Sequence, residues 1–191
     1  MPPEPAELAA DVLQDAPEAL DTWFRAEHPL VWRLCFGFLA QEAEADDLAQ
    51  EALLKLHDRL PNWDQERSYS TWRNTVVANL CRDRLRRRSN RRDAETNAAE
   101  AGLPDRLPSP EDRAEANEVR EALGQALRNL TPREREVFVL RDLEGQSADQ
   151  VATSLGITAS TVRSLGTLAR QRMRQLLAPR LPGLLAEGEL L

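Results

Sequence analysis

Two stretches of this chain concentrate side chains that do chemistry, and in both the chemistry is recognition of a polyanion. The first runs from Arg82 to Arg92, where Arg82, Arg84, Arg86, Arg87, Arg88, Arg91 and Arg92 stand against a single acid, Asp83. Guanidinium groups pair with phosphate oxygens through a planar fork of donors. Cations also favour a helix C-terminus, but only by about 0.3–1 kcal/mol each and only in the last turn, which is too little to explain seven of them. Trp63, Tyr69 and Trp72 lie just upstream. Aromatic faces beside a cationic surface are the ingredients of single-strand binding, where bases stack and phosphates pair. Core packing competes for Trp63 and Trp72, and for Trp72 it weighs at least as heavily.

The second stretch begins at Ser147 and reads SADQVATSLGITASTVRSLGTLARQRMRQLL. Ser147 is a helix cap, and Val151, Ala152 and Leu155 give the following helix one apolar face. Gly156 supplies the left-handed residue that ends it, Ile157 plugs the turn, and Thr158 or Ser160 caps a second, basic helix. Helix, glycine turn, helix is the pattern whose second helix enters a DNA major groove. An ordinary helical hairpin has the same outline, so this stretch favours DNA binding without deciding it.

Catalysis has no comparable foothold. There is no phosphate loop and no nucleophile–base set. His28 and His57 lack ligand spacing, and His57 reads as a surface residue near a helix end. Cys35 and Cys81 are far apart in sequence with no CxxC, which reads as two free thiols in a cytosolic chain. The expectation is therefore a non-enzyme with no catalytic residue, no metal and no cofactor. No apolar run approaches the length of a membrane span, and the acidic N-terminus lacks the basic start and apolar core of a secretory signal, so the expected site of action is cytoplasmic, without membrane insertion.

The elements that position these stretches are helical. Glycine and aromatic residues are sparse, and Ala, Leu, Arg and Glu abound. Residues 1–16 read as a mobile acidic leader. A helix capped by Asp15 is expected from about Ala16, with Leu20, Trp23, Phe24 and, beyond a kink at Pro29, Val31, Leu34, Cys35 and Phe38 as core. The next helix, about Glu42 to Leu60, buries Ala45, Leu48, Ala49, Ala52, Leu53 and Leu56. Its other face carries Asp46, Asp47, Gln50, Glu51 and Lys55, as either a solvated surface or a docking surface for a basic partner. Trp72, Val76, Val77, Leu80, Cys81 and Leu85 form the apolar face that leads into the arginines. Residues 93–111 are acidic, contain Pro104, Pro108 and Pro110 and have no apolar period, which marks a flexible linker. A helix from about Pro110 to Asn129 follows. LTPREREVFVLRDLEG then begins with a capping box at Thr131 and Glu134, buries Val137, Phe138, Leu140 and Leu143, and stops at Gly145.

The net charge of −7 conceals a strong segregation. It is −11 over residues 1–66, +8 over 67–92, −6 over 93–122 and +2 over 123–191. Separate surfaces for separate partners are the natural reading.

Taken together, the two halves resemble the extracytoplasmic-function (ECF) sigma factors, the minimal class of the sigma-70 family. AEADDLAQEALLKL (Ala43–Leu56) is similar to that family's core-polymerase-binding helix. YSTWRNTVVANLCRDRLRRR (Tyr69–Arg88) is similar to its promoter-melting segment, and LRNLTPREREVFVLRDLEGQSADQVATSLGITASTVRS (Leu127–Ser164) to its helix-turn-helix domain. The resemblance implies an all-α protein of two small helical domains. They are sigma domain 2 over 17–92 and sigma domain 4 over 112–177, joined by the acidic linker 93–111 and followed by a tail, 178–191. It implies core RNA polymerase and promoter DNA, duplex and single-stranded, as partners, with an anti-sigma factor as a further candidate.

The resemblance also implies site residues. Asp46, Asp47, Gln50, Glu51, Leu54 and Lys55 would face the polymerase. Trp72, Asn79, Arg82, Arg84, Arg86, Arg87 and Arg88 would hold the melted downstream element, with a base-capture pocket near Pro61–Ser70 and Asn79. Ser147, Thr158, Ser160, Thr161, Arg163, Ser164, Thr167 and Arg170 would read the upstream element.

The chain departs from the family pattern at Leu165, Gly166 and Leu168, where a basic, a large apolar and a second basic residue are usual. Gly166 inside a helix costs about 0.8–1.0 kcal/mol relative to Ala. The leucines fit three roles: core, which suits Leu168 better than Leu165; contact of Leu165 with a thymine methyl; or a surface for a protein partner. Two other functions compete with a sigma factor. A stand-alone helix-turn-helix regulator needs neither the acidic helix nor the arginine block. A polymerase-binding adaptor with weak DNA reading fits the atypical second helix.

Overall fold

The computed structural model describes residues 4–94 and 110–180, and every regular element among them is helical. The helices are α1 (Pro5–Leu13), α2 (Ala19–Leu39), α3 (Glu42–Arg59), α4 (Tyr69–Ala94), α5 (Pro110–Arg128), α6 (Pro132–Phe138), α7 (Ala148–Leu155) and α8 (Ala159–Leu177). A 3-10 turn at Leu60–Asn62 follows α3, and a π turn at Val139–Leu143 follows α6. They form two compact units, the first from α1 to α4 and the second from α5 to α8, with Gly37–Glu42 grouped in the second. The all-α expectation holds. Most of the expected linker and the end of the tail lie outside the described residues.

The first unit is built on the face of α3 that its periodicity predicts. Ala45, Leu48, Ala49, Ala52, Leu53 and Leu56 are all buried. On α2, Trp23, Val31, Leu34, Cys35 and Phe38 are fully buried, but Leu20 is exposed and Phe24 only half-buried. Pro29 sits inside α2 without ending it.

The start of the chain differs from expectation. Within the supposed leader, residues 5–13 form α1, which buries Leu8 and Ala9 against α4 and the 3-10 turn. Pro5 opens this helix at its first position, where a missing N–H costs nothing. The Glu4 N–H donates to Glu7 Oε2 at 3.2 Å. Asp15 does not cap α2. It and Glu18 adopt left-handed conformations, with φ of 52° and 61°, and α2 begins only at Ala19.

Tertiary contacts pair groups that are remote in sequence. Glu27 and Arg73 form an ion pair at 3.8 Å between side chains 0% and 5% exposed. Trp23 Nε1 donates to Tyr69 Oη at 2.9 Å. Burial, then the negative Glu27, pushes the Tyr69 phenol well above its ordinary value. Cys35 and Cys81 are both buried, and burial together with the Cys35 neighbour pushes the Cys81 thiol up. The two thiols are thus brought together by α2 and α4.

The second unit is organised by caps. At α6 the Glu134 N–H donates to Thr131 Oγ1 at 3.3 Å and the Thr131 N–H to Glu134 Oε2 at 2.9 Å. The helix expected to continue to Gly145 changes to π geometry at Val139, which leaves Leu143 half-buried. Ser147 and Gln150 cap α7 in the same reciprocal way, at 3.2 and 2.7 Å. Gly156, at φ 64°, ends α7, and the Ile157 N–H closes back onto Ala152 O at 3.1 Å. Thr158 then caps α8 by accepting from the Thr161 N–H at 3.2 Å.

Candidate functional site

Three surfaces carry the predicted site residues: the outer face of α3, the arginine end of α4, and α7 with α8. On α3 the buried stripe fixes what points outward. Asp46, Asp47, Gln50, Glu51, Leu54 and Lys55 are all exposed. Asp47, Gln50 and Leu54 stand three and four residues apart, on one face. Leu54 is 62% exposed in the middle of this polar face. Two acids here have intramolecular partners. Asp46 Oδ1 accepts from Trp32 Nε1 at 2.5 Å, and Glu51 Oε2 meets Arg84 Nη2 at 3.0 Å.

The arginines of α4 divide into two sets. Arg84 and Arg88 reach across to α3, to Glu51 at 3.0 Å and Glu44 at 3.1 Å. Arg82 Nη1 donates to Asn79 Oδ1 at 2.6 Å. Arg86 and Arg87 are exposed, and Arg86 meets the solvated Asp83 at 3.0 Å. The side chains of Arg91 and Arg92 lie outside the described residues. Charge density in the sequence did not separate these sets, because the separation depends on which turn of α4 passes α3.

At the start of α4, Trp63, Tyr69 and Trp72 form one aromatic cluster. Ring centroids are 5.0 Å apart for Trp63 and Tyr69, 5.6 Å for Tyr69 and Trp72, and 6.4 Å for the two tryptophans. Trp63 and Tyr69 are buried and Trp72 is half-buried, so the cluster presents one partly open aromatic face. Trp63 Nε1 donates to Arg67 O at 3.2 Å, which ties the preceding loop down. His57 keeps its expected surface position, with a side chain 42% exposed, while its ring borders Trp23 and Phe24 with centroids 6.4 and 6.0 Å away. Nothing in the spacing of His57 signalled this; the packing of α2 on α3 creates it.

On α8 the buried residues are Val162, Gly166, Ala169, Met173 and Leu177. This stripe corrects the expectation for the two leucines. Leu168 is 47% exposed and is not core, while Leu165 is half-buried at the stripe's edge. Five residues separate Leu168 from Met173, or about 140° around the helix, so both cannot face α6. Gly166 takes the buried position instead. A Cβ there would meet Val137 Cγ1 at 3.6 Å and Arg170 Nη1 at 3.4 Å, ordinary contact distances.

The predicted DNA-facing residues of this unit have distinct positions. Ser147 and Thr158 are exposed but serve as caps, and Thr158 Oγ1 also lies 2.8 Å from both Ser160 Oγ and Thr161 Oγ1. Arg163, Ser164 and Thr167 are exposed on the outward face, and Thr167 Oγ1 donates to Arg163 O at 3.0 Å. Arg170 is turned back to Asp142 at 2.9 Å. Arg172 likewise reaches the buried Glu134 at 2.6 Å, the same carboxylate that completes the α6 capping box.

This arrangement has two family counterparts in chain order. Residues 23–91 match the family model of sigma-70 region 2, and residues 120–173 that of sigma-70 region 4. Among curated proteins, the chain is 34% identical over 170 residues to the ECF RNA polymerase sigma factor SigM of Mycobacterium tuberculosis, covering 89% of this chain and 82% of that protein. It is 30% identical to the ECF RNA polymerase sigma factor SigE of Mycolicibacterium smegmatis, covering 86% of this chain but 64% of SigE. Among solved structures, CnrH in complex with the cytosolic domain of CnrY has the same fold, with a TM-score of 0.64 at 20% identity over 91% of this chain and 97% of that one.

Proposed function

The chain belongs to the ECF sigma factors of the sigma-70 family, and on that footing we propose that it binds core RNA polymerase and directs promoter-specific transcription initiation. The observation that carries this reading is the succession of three different surfaces along one chain: an acidic helix face, an arginine-tailed helix behind an aromatic cluster, and a capped helix-turn-helix. No other function considered needs all three.

In this reading, a first domain (residues 17–92), within the first unit, holds polymerase and the melted downstream element. The outer face of α3 docks through Asp47, Gln50 and Leu54, with Asp46, Glu51 and Lys55 at its rim. An exposed leucine encircled by polar groups has the anatomy of a binding anchor, where the apolar residue supplies affinity and the charges supply orientation. The exposed Arg86 and Arg87 hold phosphates of the opened strand, while the face of Trp72, backed by Trp63 and Tyr69, offers a surface on which a base stacks. The second unit (residues 112–177) reads the upstream element as duplex. Arg163 and Ser164 lie on the outward face of α8, and the α7 and α8 caps set the angle at which that helix is presented. The work is binding throughout, carried out where the polymerase is. An anti-sigma factor, such as the NepR bound to the sigma factor RpoE in a solved complex from Bartonella quintana, would compete for these same surfaces.

Run-off transcription with purified core polymerase and a promoter library tests the reading. Initiation from a defined subset of promoters is expected, and none from any member would refute it. Replacing Asp47 and Gln50 together by Arg is expected to lower core affinity at least tenfold while leaving the helical content unchanged. Undiminished affinity would remove α3 as the docking face.

A further inference from the structure

The outward face of α8 combines a basic helix with an apolar contact surface. The helix carries four arginines and no acid, which suits it to DNA. Yet Arg170 and Arg172 are turned back onto Asp142 and Glu134, at 2.9 and 2.6 Å. The Thr167 hydroxyl donates to the Arg163 carbonyl of its own helix at 3.0 Å, so its proton is not offered to a base. Between these groups Leu168 stands 47% exposed. We propose that Leu168 is a specificity-determining residue that selects thymine in the upstream element by packing on its 5-methyl group.

The chemistry follows from what the major groove displays. Thymine's methyl is the only apolar group on any base edge there; guanine, adenine and cytosine present N7, O6 or amino groups instead. Leucine against the methyl removes apolar surface from water. Leucine against the other edges strips water from a donor or acceptor and returns no hydrogen bond. The side chain therefore favours thymine by attraction and disfavours the alternatives by desolvation. Arg163, five residues earlier and so about 140° away around the helix, flanks this face and is placed to meet a phosphate rather than the same base edge.

This inference rests on the reading of the second unit as the upstream-element reader, and the experiment separates the two. The full chain is combined with core polymerase, and a promoter is selected from a library randomised in the upstream element. Each thymine of that element is then replaced singly by deoxyuridine, which keeps the base pair and removes only the methyl. Open-complex formation is expected to fall about threefold to fivefold at one or two positions, the worth of burying one methyl-sized group. Leu168→Ala is expected to equalise thymine and uracil at those positions while melting as the parent does, since the side chain is not core. Leu168→Arg is expected to shift the selected base from thymine to guanine. Initiation from no library member overturns both readings. Initiation that is indifferent to uracil everywhere, or a Leu168→Ala protein that keeps the full thymine preference, overturns this one alone.

Discussion

In α4, Arg84 and Arg88 reach acids on the helix of another candidate site, whereas in α8 Arg170 and Arg172 reach the scaffold. Arg84 and Arg88 pair with Glu51 and Glu44 on α3, the helix that carries the proposed polymerase-facing residues. Arg170 and Arg172 pair with Asp142 and Glu134, which belong to the π turn and the α6 cap. The first arrangement joins two proposed binding surfaces. The second fixes the pose of one helix and thins the charge on its outward face. Both helices read as basic in sequence, yet α4 still exposes Arg86 and Arg87 side by side. On α8, a leucine and hydroxyl-bearing residues occupy much of the exposed face. Dense charge suits a grip on phosphates that ignores sequence, and a mixed face suits a reader of base edges.

The largest test of this contrast lies beneath the surfaces. Removing Arg73 takes a paired positive charge from the fully buried Glu27 carboxylate, so Arg73→Ala is expected to destabilise the first unit by about 3–5 kcal/mol. Trp23, Trp32, Trp63 and Trp72 all lie in that unit, so tryptophan fluorescence during urea unfolding reads it directly. A change below about 1 kcal/mol would show the pair to be dispensable. A smaller effect separates the two arginine sets. The Arg86→Ala, Arg87→Ala double variant is expected to reduce the salt slope of single-strand binding by roughly 1.4, at about 0.7 for each phosphate left without its arginine. Equal slopes for the variant and the parent would mean that these residues do not touch the backbone. The smallest effect should be a gain. Gly166→Ala places its methyl at ordinary contact distance from Val137 and relieves the entropic penalty of a helical glycine, so about 0.5–1 kcal/mol of added stability is expected in the second unit. A loss would mean that α8 must approach α6 more closely than these distances show.

Where an element has one strong period, the sequence was enough to read it. The buried stripe of α3, the caps at Thr131 and Ser147, and the glycine turn at Gly156 follow from spacing and local chemistry alone, whereas spacing leaves the α8 cap between Thr158 and Ser160 and the fold gives it to Thr158. Weak or mixed signals failed. The prolines and acids of the first residues masked α1, whose buried pair Leu8 and Ala9 is too short a pattern to stand out. The π turn at Val139–Leu143 shifted the register after α6 and left Leu143 half-buried. On α8, a period that includes a glycine is hard to see, because Gly166 contributes no apolar signal although it occupies a buried position. Leu168 therefore looked like the missing core residue.

What this chain's sequence determined by itself is its family, its helical class and the residue types at each surface, since these depend on local pattern and on motifs in a fixed order. Only the tertiary structure decided which of those residues are available. Glu27 with Arg73, Glu51 with Arg84 and Glu134 with Arg172 are 46, 33 and 38 positions apart. No local rule links such pairs, because which charge meets which depends on how the helices cross. The same crossing geometry leaves Arg86, Arg87, Leu54 and Leu168 facing outward, where a polymerase or a promoter can reach them.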